Sequence, residues 1–170
     1  MNANKILPFL FLLPFLASCT HAYKIEGTSS VNTLDGKTLY LKSLRDGEWV
    51  KLDSTEVVHG TFAMKGKLDS VQMATLFMGE ENIMPIILEN GKTVVTISNT
   101  ELKAVGTPLN TALYDFIHKK SEMEANLADL EQKETRMVLE GGDLTDIHRQ
   151  LSLEGDSLVT AMNQYVKTFI

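Results

Sequence analysis

Lys92-Thr93-Val94-Val95-Thr96-Ile97-Ser98-Asn99-Thr100-Glu101-Leu102-Lys103-Ala104-Val105-Gly106-Thr107-Pro108-Leu109 contains the point where the chain changes its hydrophobic period. Before Gly106, Val95 and Ile97 alternate with polar residues, the two-residue repeat of a strand with one buried face. After it, Leu109, Leu113 and Phe116 recur at spacings of four and three, the repeat of a helix. Thr107-Pro108 suits a helix start: threonine can accept a bond from an early N–H, and proline fits the first helical position.

Upstream of this point the chain reads as β-structure from Tyr23 to Val105. Asp35-Gly36, Asp46-Gly47, His59-Gly60 and Asn90-Gly91 punctuate it, and such dipeptides supply the positive φ angles of tight hairpins. Thr38 to Lys42 alternates, whereas Gln72 to Met78 and Met84 to Leu88 are more uniformly apolar, as buried strands are. Pro85 has no N–H and belongs at a strand start, a bulge or an edge. Seven or eight short strands predict a sandwich or barrel. Downstream, Leu109, Leu113, Phe116, Met123, Leu127, Leu130 and Met137 form one stripe. Gly141-Gly142 ends that helix, and Asp143 or Thr145 can cap a second, striped by Leu144, Ile147, Leu151, Leu158, Met162 and Tyr165. Gly155 weakens the second helix and marks a candidate bend. The fold class is therefore α+β: an antiparallel β-sandwich over 23–105, followed by a C-terminal two-helix hairpin over 106–170.

The first residues carry a different message. Lys5 precedes an apolar run of 11 residues, Ile6 to Leu16. A spanning helix needs about 20, so the run reads as a secretory signal rather than a membrane span. It ends Leu16-Ala17-Ser18-Cys19, a branched aliphatic, two small residues and a cysteine. This is the lipobox pattern: Leu16, Ala17 and Ser18 as the peptidase recognition sequence, Cys19 as the lipidated residue. The expected divisions are a signal peptide at 1–18, a lipidated tether at 19–22, and the two folded parts. More than one acyl chain makes such an anchor stable. Thr20 is not the aspartate associated with inner-membrane retention, and Thr20 to Ile25 lacks an acidic surface-export cluster. The expected location is an outer-membrane lipoprotein facing the periplasm.

Cys19 is the chain's one cysteine. Lipidated, it leaves no disulfide and no CxxC pair, so a self-contained thiol–disulfide reaction is excluded. Residues 1–18 carry Lys5 as their only charge, so cleavage moves the net charge from −6 to −7. That balance disfavours nucleic acid, whose binding relies on basic patches. His21, His59, His118 and His148 have no second histidine or cysteine at metal-ligand spacing. Glu80-Glu81-Asn82 lacks the ligand spacing of a calcium loop. No GxSxG elbow and no Gly-rich phosphate loop is present, so neither a catalytic residue nor a cofactor is expected. Trp49, beside Asp46-Gly47-Glu48, is expected to enter a strand as part of the core, with a ligand platform as the alternative.

Several short motifs occur in order: Tyr23-Lys24-Ile25-Glu26-Gly27, Leu52-Asp53-Ser54, Gly60-Thr61-Phe62-Ala63-Met64-Lys65-Gly66, Leu88-Glu89-Asn90-Gly91 and Gly106-Thr107-Pro108-Leu109-Asn110. Together they resemble the domain of unknown function at the N-terminus of TlpA-like thioredoxin lipoproteins of the Bacteroidetes type. The resemblance covers roughly residues 23–110 and implies a β-sandwich and helical segment placed before a thioredoxin domain. Ile170 falls where that domain would begin. The CxxC of the family therefore has no position here, and its redox activity is not carried over. The expected function is a lipid-anchored cell-envelope binding or scaffold module, not an enzyme. It would be joined to the membrane through its lipid and to a protein partner of unknown identity, with a thioredoxin-like protein as a candidate. The alternatives are the recognition half of a thiol–disulfide oxidoreductase system, and an envelope glycan- or peptide-binding lipoprotein.

Overall fold

The computed structural model describes residues 21–169. Leu16, Ala17, Ser18 and Cys19 lie outside the described residues. Strands β1 (Ala22–Ser29), β2 (Thr38–Arg45), β3 (Glu48–Glu56), β4 (Thr61–Lys67), β5 (Gln72–Met78), β6 (Glu81–Leu88), β7 (Gly91–Ile97) and β8 (Leu102–Val105) precede helices α1 (Pro108–Leu139) and α2 (Leu144–Phe169). The strands form two four-stranded sheets, ordered β4-β1-β7-β8 and β3-β2-β5-β6. This is the expected α+β sandwich with a helical hairpin after it.

Pairing is antiparallel except between β1 and β7, which run parallel with Tyr23 opposite Gly91 and Ser29 opposite Ile97. No turn joins these two strands, so nothing local dictates their direction. Asp46 and Gly47 adopt φ of 50° and 84° and close the β2–β3 hairpin. His59 and Gly60, at 51° and 69°, turn the chain between Val58 and Thr61, but they close no hairpin of paired strands, because β3 and β4 belong to different sheets. Asn90-Gly91 does not close a hairpin: β6 and β7 belong to different sheets, and Gly91 at φ 125° makes the crossover between them. Asp53 sits inside β3 beside a register shift, where its carboxylate accepts from the Ser54 N–H at 2.7 Å.

Ile25, Leu39, Leu41, Leu76, Met84, Ile86 and Val95 are fully buried between the sheets. Each such side chain contributes roughly 1.5–3 kcal/mol by leaving water. Val95 with Ile97, and Phe62 with Met64, share inner faces as their spacing predicts. Pro85 is in β6, an edge strand of its sheet.

Connections fix which end of the sandwich is which. Ala22 pairs with Lys67, Gln72 with Leu88, and Tyr23 with Gly91. The Arg45 guanidinium reaches the Gln72 side chain at 3.4 Å. One end, the N-terminal pole, therefore gathers the start of β1, the 46–47 turn, the 68–71 loop, Asn90-Gly91 and the start of α1. Helix α1 leaves this pole and runs antiparallel to β6. Asn110 bonds Ile87, and further along the Tyr114 hydroxyl donates to the Pro85 carbonyl at 2.9 Å. Burial pushes the Tyr114 phenol well above its ordinary pKa. The helix then passes the 98–101 turn at the opposite pole and continues beyond the sandwich.

Gly141 at φ 83° breaks α1, and the Asp143 carboxylate caps α2 by accepting from the Thr145 and Asp146 N–H groups at 2.9 and 3.1 Å. Helix α2 returns along α1. His148 meets Glu134 at 2.8 Å, Lys133 meets Glu154 at 2.7 Å, and the Phe116 and Tyr165 rings stack at 5.9 Å. Met123, Ile147 and Leu151 are buried in the seam. The expected stripes are corrected at both starts. Leu109 and Leu144 are exposed, because Asn110 and Tyr114 occupy the inner face of the first turns of α1, and Ile147 is the first inward residue of α2. Helix α2 is continuous through Gly155.

Candidate functional surfaces

The motifs quoted from 88–91 and 106–110 meet at one buried junction. Glu89 Oε1 accepts from the N–H groups of Leu109 and Asn110, at 2.8 and 3.0 Å, and so caps α1. Thr107 does not cap the helix with its side chain. Its hydroxyl instead accepts from Asn110 Nδ2 at 2.9 Å. Asn110 is fully buried and also clamps the edge strand, donating to the Ile87 carbonyl at 2.6 Å and accepting from the Ile87 N–H at 2.9 Å. A Cβ on Gly106 would stand 2.7 Å from the Lys92 carbonyl oxygen, so glycine is required where the chain passes β7. Among the described residues no fully buried side-chain nitrogen or oxygen lacks a partner. The junction joins helix to sandwich.

The two outer faces of the sandwich differ in chemistry. The face of β4-β1-β7-β8 carries Lys24 opposite both Lys65 and Lys92, with Glu26 between them. Glu26 pairs with Lys24 at 2.6 Å and Lys92 at 2.8 Å. Hydrogen bonds from those two lysines hold its carboxyl down at a pKa of about 2. That is an ordinary solvated face. The face of β3-β2-β5-β6 is aromatic and apolar. Trp49 is not in the core as expected; it is 47% exposed and meets Phe77 edge-on at 4.9 Å. The Lys42 ammonium lies 4.6 Å from the Phe77 ring centroid, and that of Lys51 lies 5.3 Å from Tyr40, both within cation–π range. Leu44 stands opposite Trp49, and Met73 lies beside it.

A groove of about 780 Å³ opens between the β7–β8 turn and α1, lined by Ser98, Leu102, Tyr114, Ile117, His118 and Glu122. His118 and His148 each face a glutamate on the helices, His59 is in its turn, and His21 precedes β1. Among the described residues no group of three histidine, cysteine, aspartate or glutamate side chains is placed to hold a metal. Nor is any helix among them long and apolar enough to cross a membrane. On the hairpin, Leu139, Leu144 and Leu153 are 82%, 54% and 68% exposed.

The sequence model of the family described as "Domain of unknown function (DUF4369)" matches residues 23–147. The chain belongs to this family. The DUF4369 match begins at the first inward residue of β1, crosses the Glu89–Asn110 junction and ends at Ile147, the first inward residue of α2. Sandwich, junction and the turn of the hairpin thus fall within one family unit. No curated protein matches the chain in sequence. Sequence reasoning missed Asn110 and Tyr114, although their i, i+4 spacing after Thr107-Pro108 is the signal that places both on one face of α1.

Proposed function

We propose that this DUF4369 chain is a lipid-anchored cell-envelope module that binds or scaffolds a protein partner and has no catalysis of its own. The observation that carries the reading is the hairpin. Helix α1 continues about 20 Å past the sandwich at 1.5 Å per residue. Helix α2 packs chiefly on α1, which leaves Leu139, Leu144 and Leu153 in water. A projecting hairpin with apolar side chains unpaired suits presentation to another protein. The lipobox supports anchoring at Cys19, on the outer membrane and facing the periplasm. The test is a photo-crosslinking residue placed at Leu153 in native envelope, with Thr28 on the outer face of β1 as control. A discrete adduct from Leu153 and none from Thr28 is expected; no adduct from either contradicts the reading.

The resemblance to TlpA-like lipoproteins makes a thioredoxin-like protein the candidate partner, with this chain as the recognition half of a thiol–disulfide system. The sequence after Cys19 contains no thiol, so the purified mature protein should not reduce insulin above buffer. The exposed Trp49 favours a second reading, a glycan or peptide on the aromatic face of β3-β2-β5-β6. Quenching of Trp49 fluorescence by envelope saccharides would support it.

A further inference from the structure

Eight large apolar side chains are exposed on the β-half among the described residues, and five of them, Leu44, Trp49, Val50, Val71 and Met73, lie toward the N-terminal pole. They come from three separate segments, so no single stretch of apolar sequence accounts for the cluster. Trp49 and Leu44 are cross-strand partners, the Ser43 hydroxyl bonds the Met73 carbonyl at 3.0 Å, and Val71 leads into β5. The Leu68 N–H bonds the His21 carbonyl at 2.9 Å, which ties the 68–71 loop to the start of the described chain. Cys19 is three residues from Ala22, a span of at most about 10 Å even fully extended. An acylated Cys19 would therefore bring this pole against the bilayer.

We propose that the N-terminal pole is a membrane-contacting surface, with Trp49, Leu44, Val71 and Met73 seated in the interfacial layer of the bilayer that holds the anchor. The inference rests on the anchored reading above. Tryptophan favours this layer because its ring is apolar and its N–H polar. The flanking charges are mixed: Arg45 and Lys67 against Asp46, Glu48 and Asp69. They select neither strongly anionic lipid nor an acidic partner, and a zwitterionic surface fits them. The hairpin then leaves the opposite pole, pointing away from the membrane.

Trp49 is the chain's one tryptophan, so its fluorescence reports this surface alone. The full lipidated protein is reconstituted into dioleoylphosphatidylcholine vesicles, with and without bromine on the acyl chains, and recovered by flotation. The expected result is flotation with a blue-shifted Trp49 emission, quenched about twofold by brominated lipid, as for an interfacial tryptophan. Leu44→Ser with Met73→Ser should reduce that quenching and leave flotation unchanged. Failure to float overturns the anchor. Flotation with Trp49 unquenched by bromine overturns the membrane-contacting pole and leaves the anchor standing. Shielding of Trp49 from aqueous acrylamide without bromine quenching also overturns it, and points to a second copy or a bound ligand on the face.

Discussion

The ring of Phe62 lies directly over Gly27, its partner across the β1–β4 ladder, and a Cβ there would stand 2.0 Å from the ring's Cζ. Tyr23 and Gly66 repeat the arrangement four residues along, with Tyr23 ring carbons 2.6–2.8 Å from the position of a Gly66 Cβ. The Tyr23-x-x-x-Gly27 and Phe62-x-x-x-Gly66 motifs are thus two halves of one reciprocal packing. Alanine at either glycine must displace an aromatic ring from the core. Gly27→Ala and Gly66→Ala should each cost roughly 1–3 kcal/mol, as overpacked cores do. Urea unfolding checks this; an unchanged midpoint would contradict it.

Gly155→Ala should act in the opposite direction. Gly155 is inside α2, and a Cβ there would meet Leu130 Cδ1 at 3.7 Å, an ordinary contact. Alanine removes glycine's entropy cost in a helix and gains that contact, so stability should rise by about 0.5–1 kcal/mol. A thermal melt followed at the helix band reads the sign directly.

Asn110→Ala should be among the costlier polar substitutions. It strips partners from the Ile87 N–H and carbonyl and from the Thr107 hydroxyl, all at a buried junction. Leaving such groups unsatisfied costs about 1–3 kcal/mol each. The loss should appear as a lower urea midpoint with the helix and sheet signals falling together, because the junction joins them. A fall confined to the helix signal would show that the sandwich holds without it.

These junctions show how far the sequence could be read. Asp46-Gly47 was legible as a hairpin turn because positive φ is a local property, whereas His59-Gly60 turns the chain into a strand of the other sheet. Asn90-Gly91 carries the same signature and makes a sheet-to-sheet crossover, since a turn dipeptide says nothing of which sheet the next strand joins. The parallel β1–β7 pair was hidden for that reason as well. Asn110 was quoted only as the end of the Gly106 to Asn110 motif, because the burial of an amide is not visible until Ile87 and Thr107 are brought to it. Trp49 read as core because size and apolarity favour burial, and the register that turns it outward is set by Leu44 across the hairpin. The reading of Leu16 to Cys19 is of another kind: a lipobox is a linear pattern, so its proposal rests on the sequence alone and draws nothing from the fold.

Acid should act on Glu26. Its carboxyl is held from an ordinary 4.5 down to about 2, first by the hydrogen bond from Lys24 and then by that from Lys92. A carboxyl whose folded pKa is depressed contributes stability above its unfolded pKa and loses it as pH falls through the folded value. The contribution is therefore present above about pH 4.5 and disappears toward pH 2. Solvent screening at this exposed pair keeps it small and salt-sensitive. A carbon-detected NMR titration should give a Glu26 midpoint near 2. Lys24→Ala should raise that midpoint; no movement would show that Lys24 does not hold the carboxylate.

Anchoring at Cys19 is the claim on which both the membrane-facing pole and the envelope role depend. Metabolic labelling with an alkyne fatty acid tests it most directly, comparing the intact gene product with Cys19→Ala. The account predicts a labelled protein of mature size from the natural sequence. From Cys19→Ala it predicts an unlabelled species that retains residues 1–18. Equal labelling of the two, or a natural protein whose N-terminus is not Cys19, would contradict it.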